Sequence, residues 1–183
     1  MRSWAGILTP TGLVATIAEE SPPCAICGGP GHPIAANVAR RDRPAWELAV
    51  WSTIVARRSR SIAVADLRGP AWSMALAPHP RGVCLAVRPG YLAAPPTFSG
   101  VADAAGVFLA AETSTPALDP AAMAGVAFPD TTHPDDVARV AAVVAAARDR
   151  PQVLDARGRS GIRWRGMVWR GRRGLLRIEA IGD

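Results

Sequence analysis

The sequence predicts an α/β fold of the α+β kind, laid down twice as two five-stranded antiparallel sheets, each covered on one face by short helices. Three observations carry this expectation. Near the middle of the 183 residues, Arg88 to Thr97 (RPGYLAAPPT) gathers prolines and a glycine without helical or strand period and reads as a linker. On each side of it, strand-like and helix-like hydrophobic periods follow one another in the same order. Two stretches of the first half can also be laid on the second without a gap, the mark of a duplicated unit.

The first of these matches sets Ile26–Asn37 (ICGGPGHPIAAN) on Val101–Glu112 (VADAAGVFLAAE), each a short apolar strand, a glycine turn and a second strand. The second sets Trp72 on Trp164, Leu76 on Val168, Gly82 on Gly174, Val83 on Leu175, Leu85 on Arg177 and Val87 on Glu179. In both copies a strand opening with Trp meets a basic turn, HPRG or GRRG, and returns. The two matches have different offsets, so the first copy is expected to be shortened in its helical part.

Strands are predicted near 23–27, 32–36, 61–67, 71–78 and 82–88, and again near 97–102, 107–112, 151–157, 161–170 and 174–181. Between them Leu48, Trp51 and Val55 recur at helical spacing after Pro44, and Val137, Val140, Ala141 and Val144 do so after Pro134. Asp135 and Asp136 stand in the first turn of the later helix and Arg148 near its end, as the helix dipole favours. Residues 1–88 are thus expected to hold an N-terminal helix (Ile7–Ala18) and a shortened core, 89–97 the linker, and 98–183 the fuller copy.

The net charge of +6 comes from arginine alone, since the sequence holds no lysine. Ala/Arg/Gly/Pro-heavy usage of this kind looks like a coding bias, which weakens an inference from charge to nucleic acid. Three cysteines without repeated spacing argue against a disulfide framework and suit a reducing cytosol. The N-terminus lacks the length of a membrane span and a signal-peptide cleavage region, so the chain is expected to be soluble and cytoplasmic.

Strand, strand, helices and three strands, with an antiparallel sheet covered on one face, resembles the PAS fold. The resemblance is closest from Phe98 to Asp183. There DAAGVFLAAE looks like the opening hairpin, LDPAAMAGVAFPDTTHPDDVARV like the segment leading into the long helix, and GIRWRGMVWRGRRGLLRIEAIGD like the closing hairpin. In the first half Asn37 falls where many such domains carry Asn after the second strand. The resemblance implies a sensory and dimerising module that relays a signal to an effector such as a histidine kinase, with a homodimer or a signalling protein as partner. It assigns the cluster His133, Pro134, Asp135 and Asp136 to the start of the long helix.

Other chemistries fit the residues less well. Cys24, Cys27 and His32 have zinc-knuckle spacing, but Asn37 stands where the fourth ligand belongs, and Cys84 completes the set only if folding brings it close, so no metal is expected. His133 fits a cap better than a haem ligand or a base, and no cofactor is expected. Trp164 and Trp169 with Arg163, Arg165, Arg170, Arg172 and Arg173 would suit RNA stacking. On a strand, however, Ile162, Trp164, Gly166 and Val168 share a core face, and Arg163, Arg165, Met167 and Trp169 a solvated or interface face. No nucleophile elbow or carboxylate pair suggests an enzyme, because Asp135 and Asp136 point about 100° apart on a helix. Candidate contact residues are Leu13 and Ile17 on the N-terminal helix and Met167 and Trp169 on the closing strands. They would meet a second copy or, alternatively, the other half of the same chain.

Overall fold

The computed structural model describes residues 4–19, 21, 24–90, 94–116 and 118–182. It contains two five-stranded antiparallel sheets with few helices, an α+β fold. In the first half β1 (Trp4–Leu8) and β2 (Val14–Ile17) form a hairpin, α1 (Ile34–Asn37) and α2 (Arg43–Ala56) follow, and β3 (Arg60–Ala65), β4 (Ala71–His79) and β5 (Gly82–Pro89) close the sheet. The second half runs β6 (Thr97–Ala102), β7 (Phe108–Thr113), α3 (Pro120–Met123), α4 (Val137–Ala146), β8 (Gln152–Arg157), β9 (Arg163–Arg170) and β10 (Leu176–Gly182). The sheet orders are the same, β2-β1-β5-β4-β3 and β7-β6-β10-β9-β8. Among the described residues no helix is long and apolar enough to cross a membrane.

The five strands expected in the second half and the last three of the first are present, but the opening hairpin of the first half lies elsewhere. Residues 4–17 form it, where a helix over Ile7–Ala18 was expected, and the stretch 24–33 is turns and bends. The reason is local. Pro10 and Gly12, which interrupt a helix, make the hairpin turn, Gly12 taking a φ of 80°. The stretch CAICGGPGHP is too rich in Gly and Pro to support strands, and Gly28 and Gly31 both adopt positive φ.

The duplication therefore has a different register. Thr9 to Leu13 matches Asp103 to Val107 atom for atom in its turn. The Thr9 and Asp103 N–H groups donate to Leu13 and Val107 carbonyls at 2.8 and 2.9 Å, and the Thr9 hydroxyl and Asp103 carboxylate accept the Leu13 and Val107 N–H groups. Leu13 bridges Pro33 as Val107 bridges Ala127, and α1 occupies the place of the 3-10 turn Phe128–Thr131. Gly6 and Gly100 are equivalent: an added Cβ would come within 2.6 Å of the Trp4 ring and 2.8 Å of the Phe108 ring. In this register the first copy is not shortened, and its α2 has 14 residues against 10 in α4.

The match of Trp72 to Trp164 holds along β4 and β9, but in the last strand it slips by one residue. Gly6 pairs with Leu85 where Gly100 pairs with Ile178, so Leu85 corresponds to Ile178 and not to Arg177. The longer turn after β9 takes up the extra residue, and the slip inverts which side chains face the core.

Each half packs a core between its sheet and helices. Trp4, Leu8, Trp46, Val50, Met74 and Leu85 centre the first. Phe98, Phe108, Phe128 and Trp164 form an aromatic cluster in the second, with centroids 5.4 to 5.8 Å apart. A third cluster, Ala75, Ala77, Cys84 and Ala86 with Ile181, lies between the sheets, because β4 and β5 pack against β9 and β10 by the faces that the helices leave uncovered.

Candidate functional site

Strand alternation decides what meets at this sheet-to-sheet surface. On β4 and β5 the positions turned away from the helices are Ser73, Ala75, Ala77, Cys84 and Ala86, a nearly flat plate. On β9 and β10 they are Arg165, Met167, Trp169, Glu179 and Ile181. Met167 is 3% exposed and Ile181 2%. Met167 and the half-buried Trp169 thus face the other half of the same chain, the second of the two destinations their pattern allowed. Leu13 and Ile17 are half-buried and belong to the hairpin: Leu13 bridges Pro33, and Ile17 packs on the first core.

The polar anchor of this surface is Glu179, 4% exposed. Its two carboxylate oxygens accept the Ser59 N–H at 2.7 Å and the Ser99 hydroxyl at 2.6 Å. A buried carboxylate held by two donors from different halves ties them together, since either donor lost would leave polar groups unsatisfied. Arg57 and Arg58 lie beside Ser59. The Arg57 guanidinium sits 5.9 Å from the Trp169 ring centroid, and Arg58 approaches Glu112 at 3.7 Å. Arg57 takes left-handed φ, ending α2 and directing these three residues onto the second half. Sequence reasoning named the β9 side of this surface through Met167 and Trp169 but missed the facing plate and Glu179, although most outward positions of β4 and β5 are small and apolar where a solvated sheet would carry polar side chains.

The cluster at the start of α4 is organised around Arg157. His133 Nδ1 accepts the Asp135 N–H at 3.3 Å, and the Arg157 N–H donates to Asp136 Oδ2 at 2.8 Å. Asp135 and Asp136 converge on the one Arg157 guanidinium, at 3.0 and 3.3 Å, although the helical spacing alone set them apart; the 3-10 turn Pro134–Asp136 brings them round. The Arg157 N–H and the Arg139 guanidinium hold the Asp136 carboxyl well below the usual carboxylate range. Asp42 does the same work in the first half, accepting the Ala65 N–H at 2.8 Å. These carboxylates pin a helix start to a strand, and all their partners are structural.

Cys24 and Cys27 are joined by a disulfide, against the expectation of reduced strand cysteines: the tight turn between them sets their Cα atoms 5.3 Å apart, within bonding reach. His32 Nε2 accepts from Asn37 Nδ2 at 2.8 Å, and Asn37 also donates to the Ile26 carbonyl. Cys84 lies on the far side of the sheet from them. Among the described residues no three His, Cys, Asp or Glu side chains gather as a metal would need.

The second core leaves a small, partly open cavity of about 40 Å³ lined by Phe98, Met123, Phe128 and Trp164. Sites for drug-sized ligands run to about 300–1,000 Å³. An open cleft of about 310 Å³ lies between the sheets near Ile17, His79, Cys84, Asp155 and Arg165. Burial and the neighbouring Arg81 lower the pKa of His79, whose Nδ1 accepts the Arg81 N–H. Trp164 is a core residue, and Arg163 is held bidentate by Asp155 at 2.7 and 3.0 Å, so the Arg/Trp strand is divided between two packed faces.

No protein-family model matches the chain, and no curated protein matches it either.

Proposed function

We propose that the protein is a non-enzymatic, PAS-like partner-binding module that relays a binding event to a signalling effector such as a histidine kinase. Its two PAS-like halves are paired within one chain. The observation that carries this reading is the pairing itself: strand, strand, helices and three strands occur twice, and the two sheets meet by the faces through which such modules are expected to dimerise. The tightly filled second core favours a signal received by contact over one received by a large enclosed cofactor. The exposed outer helices are then the surfaces left for an effector.

The test is functional. The purified chain is added to the cytosolic regions of histidine kinases from its own genome, and binding and autophosphorylation are followed together. A kinase that binds the chain and changes its autophosphorylation rate at least three-fold supports the reading; no binding and no change across the set contradicts it.

A further inference from the structure

Helix α2 buries Trp46, Ala49, Val50 and Thr53 against the first core. The stripe that marked it as a helix, Leu48, Trp51 and Val55, points the other way, with exposures of 61, 61 and 60%. The duplication supplies an internal control. Asp42 and Asp136 precede the two helices, and the buried Trp46, Val50 and Thr53 take the places of Val140, Val144 and Ala147. In that register the three exposed positions of the second copy are Ala142, Ala145 and Asp149. The fold is satisfied by small or charged residues there, so the large apolar side chains of α2 serve something outside the fold.

The stripe runs into an open groove that Val55 and Trp169 line together with Arg57, Arg58, Arg172 and Arg177. The groove is continuous with the interface between the halves. Its carboxylate, Glu179, is buried and bound to Ser59 and Ser99, and Glu47 is the one acidic residue in α2 itself. Further arginines, Arg40, Arg41 and Arg43, flank the start of the helix. In a two-fold pairing of α2 with its own copy, either helix orientation would set arginines against arginines. A second copy is therefore a poor occupant, and an acidic one is complementary.

We infer that the α2 stripe and the adjoining arginine groove form a docking site for an acidic amphipathic segment of another protein. Its apolar side chains would cover Leu48, Trp51 and Val55 and its carboxylates would meet Arg57, Arg58 and Arg172. The inference deepens the partner-binding reading by naming the face and the chemistry of the partner. The assay below contains no kinase, so it can fail while regulation of a kinase holds, and the reverse.

The experiment uses the full chain and a fluorescein-labelled helical peptide with Leu on one face and Glu on the other, followed by anisotropy. A peptide with Lys in place of Glu, a single-stranded oligonucleotide and vesicles of mixed neutral and anionic phospholipid serve as comparison probes. The expected result is saturable binding of the acidic peptide with Kd below about 100 μM in low salt, weakening in high salt as screened charge pairs do. Trp51→Ala and Arg57→Glu should each weaken it at least five-fold, while Ala145→Ser on α4 leaves it unchanged. Unchanged circular dichroism and melting would show that the variants fold. Absence of acidic-peptide binding overturns the inference, as does binding indifferent to Trp51 and Arg57. So does tighter binding of the oligonucleotide or vesicles through the same residues, or self-association abolished by Trp51→Ala.

Discussion

Helices α2 and α4 hold the same place in their halves, yet at three matching exposed positions the first copy has Leu48, Trp51 and Val55 and the second has Ala142 and Ala145 on α4 and Asp149 just beyond its end. The sheets differ in a parallel way. The first offers a plate of Ala75, Ala77 and Ala86, and the second offers Met167, Glu179 and Ile181 to cover it. Where the halves fold, they repeat one another; where they meet something, they diverge. The hairpin turn, the glycine beneath the aromatic ring and the carboxylate before the long helix recur because each solves a backbone problem common to both copies. The outer surfaces answer to different neighbours.

The largest effect expected within this comparison comes from the inner face of α2. Trp46 is 1% exposed, so Trp46→Ala should cost about 4 kcal/mol in a denaturant titration, the scale of a large aromatic removed from a packed core. A cost below about 1 kcal/mol would mean that α2 is not seated by this face.

Next is the join between the halves. Glu179→Ala leaves the Ser59 N–H and the Ser99 hydroxyl without their acceptor and should cost about 2 kcal/mol, observable as a lowered unfolding midpoint. Arg58→Ala, at an exposed ion pair of 3.7 Å, should change little by the same measurement.

A pH dependence is expected at the start of α4. The folded-state pKa of Asp136 lies below its unfolded value of about 4, so the unfolded chain takes up the proton first as pH falls. Its contribution is therefore present in full above about pH 4 and is lost as pH drops from there toward the folded value. Asp136→Asn should flatten the acid limb of the stability curve, and a limb unchanged by the substitution would remove Asp136 as its source.

The smallest effect belongs to the exposed stripe. Trp51→Ala should shift stability by no more than about 0.5 kcal/mol, as befits a solvated position, and so differ sharply from Trp46, five residues away and about 140° round the helix.

Much of this was legible in the residues. The second half could be read strand by strand because Pro and Gly fall between its periodic segments and its strands alternate cleanly. The helical period of Leu48, Trp51 and Val55 announced α2 correctly but left open which face it buries, since period reports which residues align and not what they align against. The first hairpin was missed because Pro10 and Gly12 read as breaks in a helix, and a glycine-rich segment imitated the second copy's turn more closely than the true one. The disulfide was misjudged because the short turn that brings Cys24 to Cys27 leaves no periodic trace. The pairing of the sheets left a fainter signal, the unbroken apolar run of β4 and β5, which has meaning only once both faces are known to be covered.

The central claim, that the two sheets pair inside one chain, is tested most directly by the concentration dependence of unfolding, with mass measured by sedimentation in the same samples. Pairing within the chain predicts a monomer and a denaturation midpoint that stays constant from about 1 to 200 μM protein, with Glu179→Ala lowering it equally at every concentration. A midpoint that rises with concentration, together with a dimer that Met167→Glu dissociates, would show that these faces meet between chains and would contradict the account.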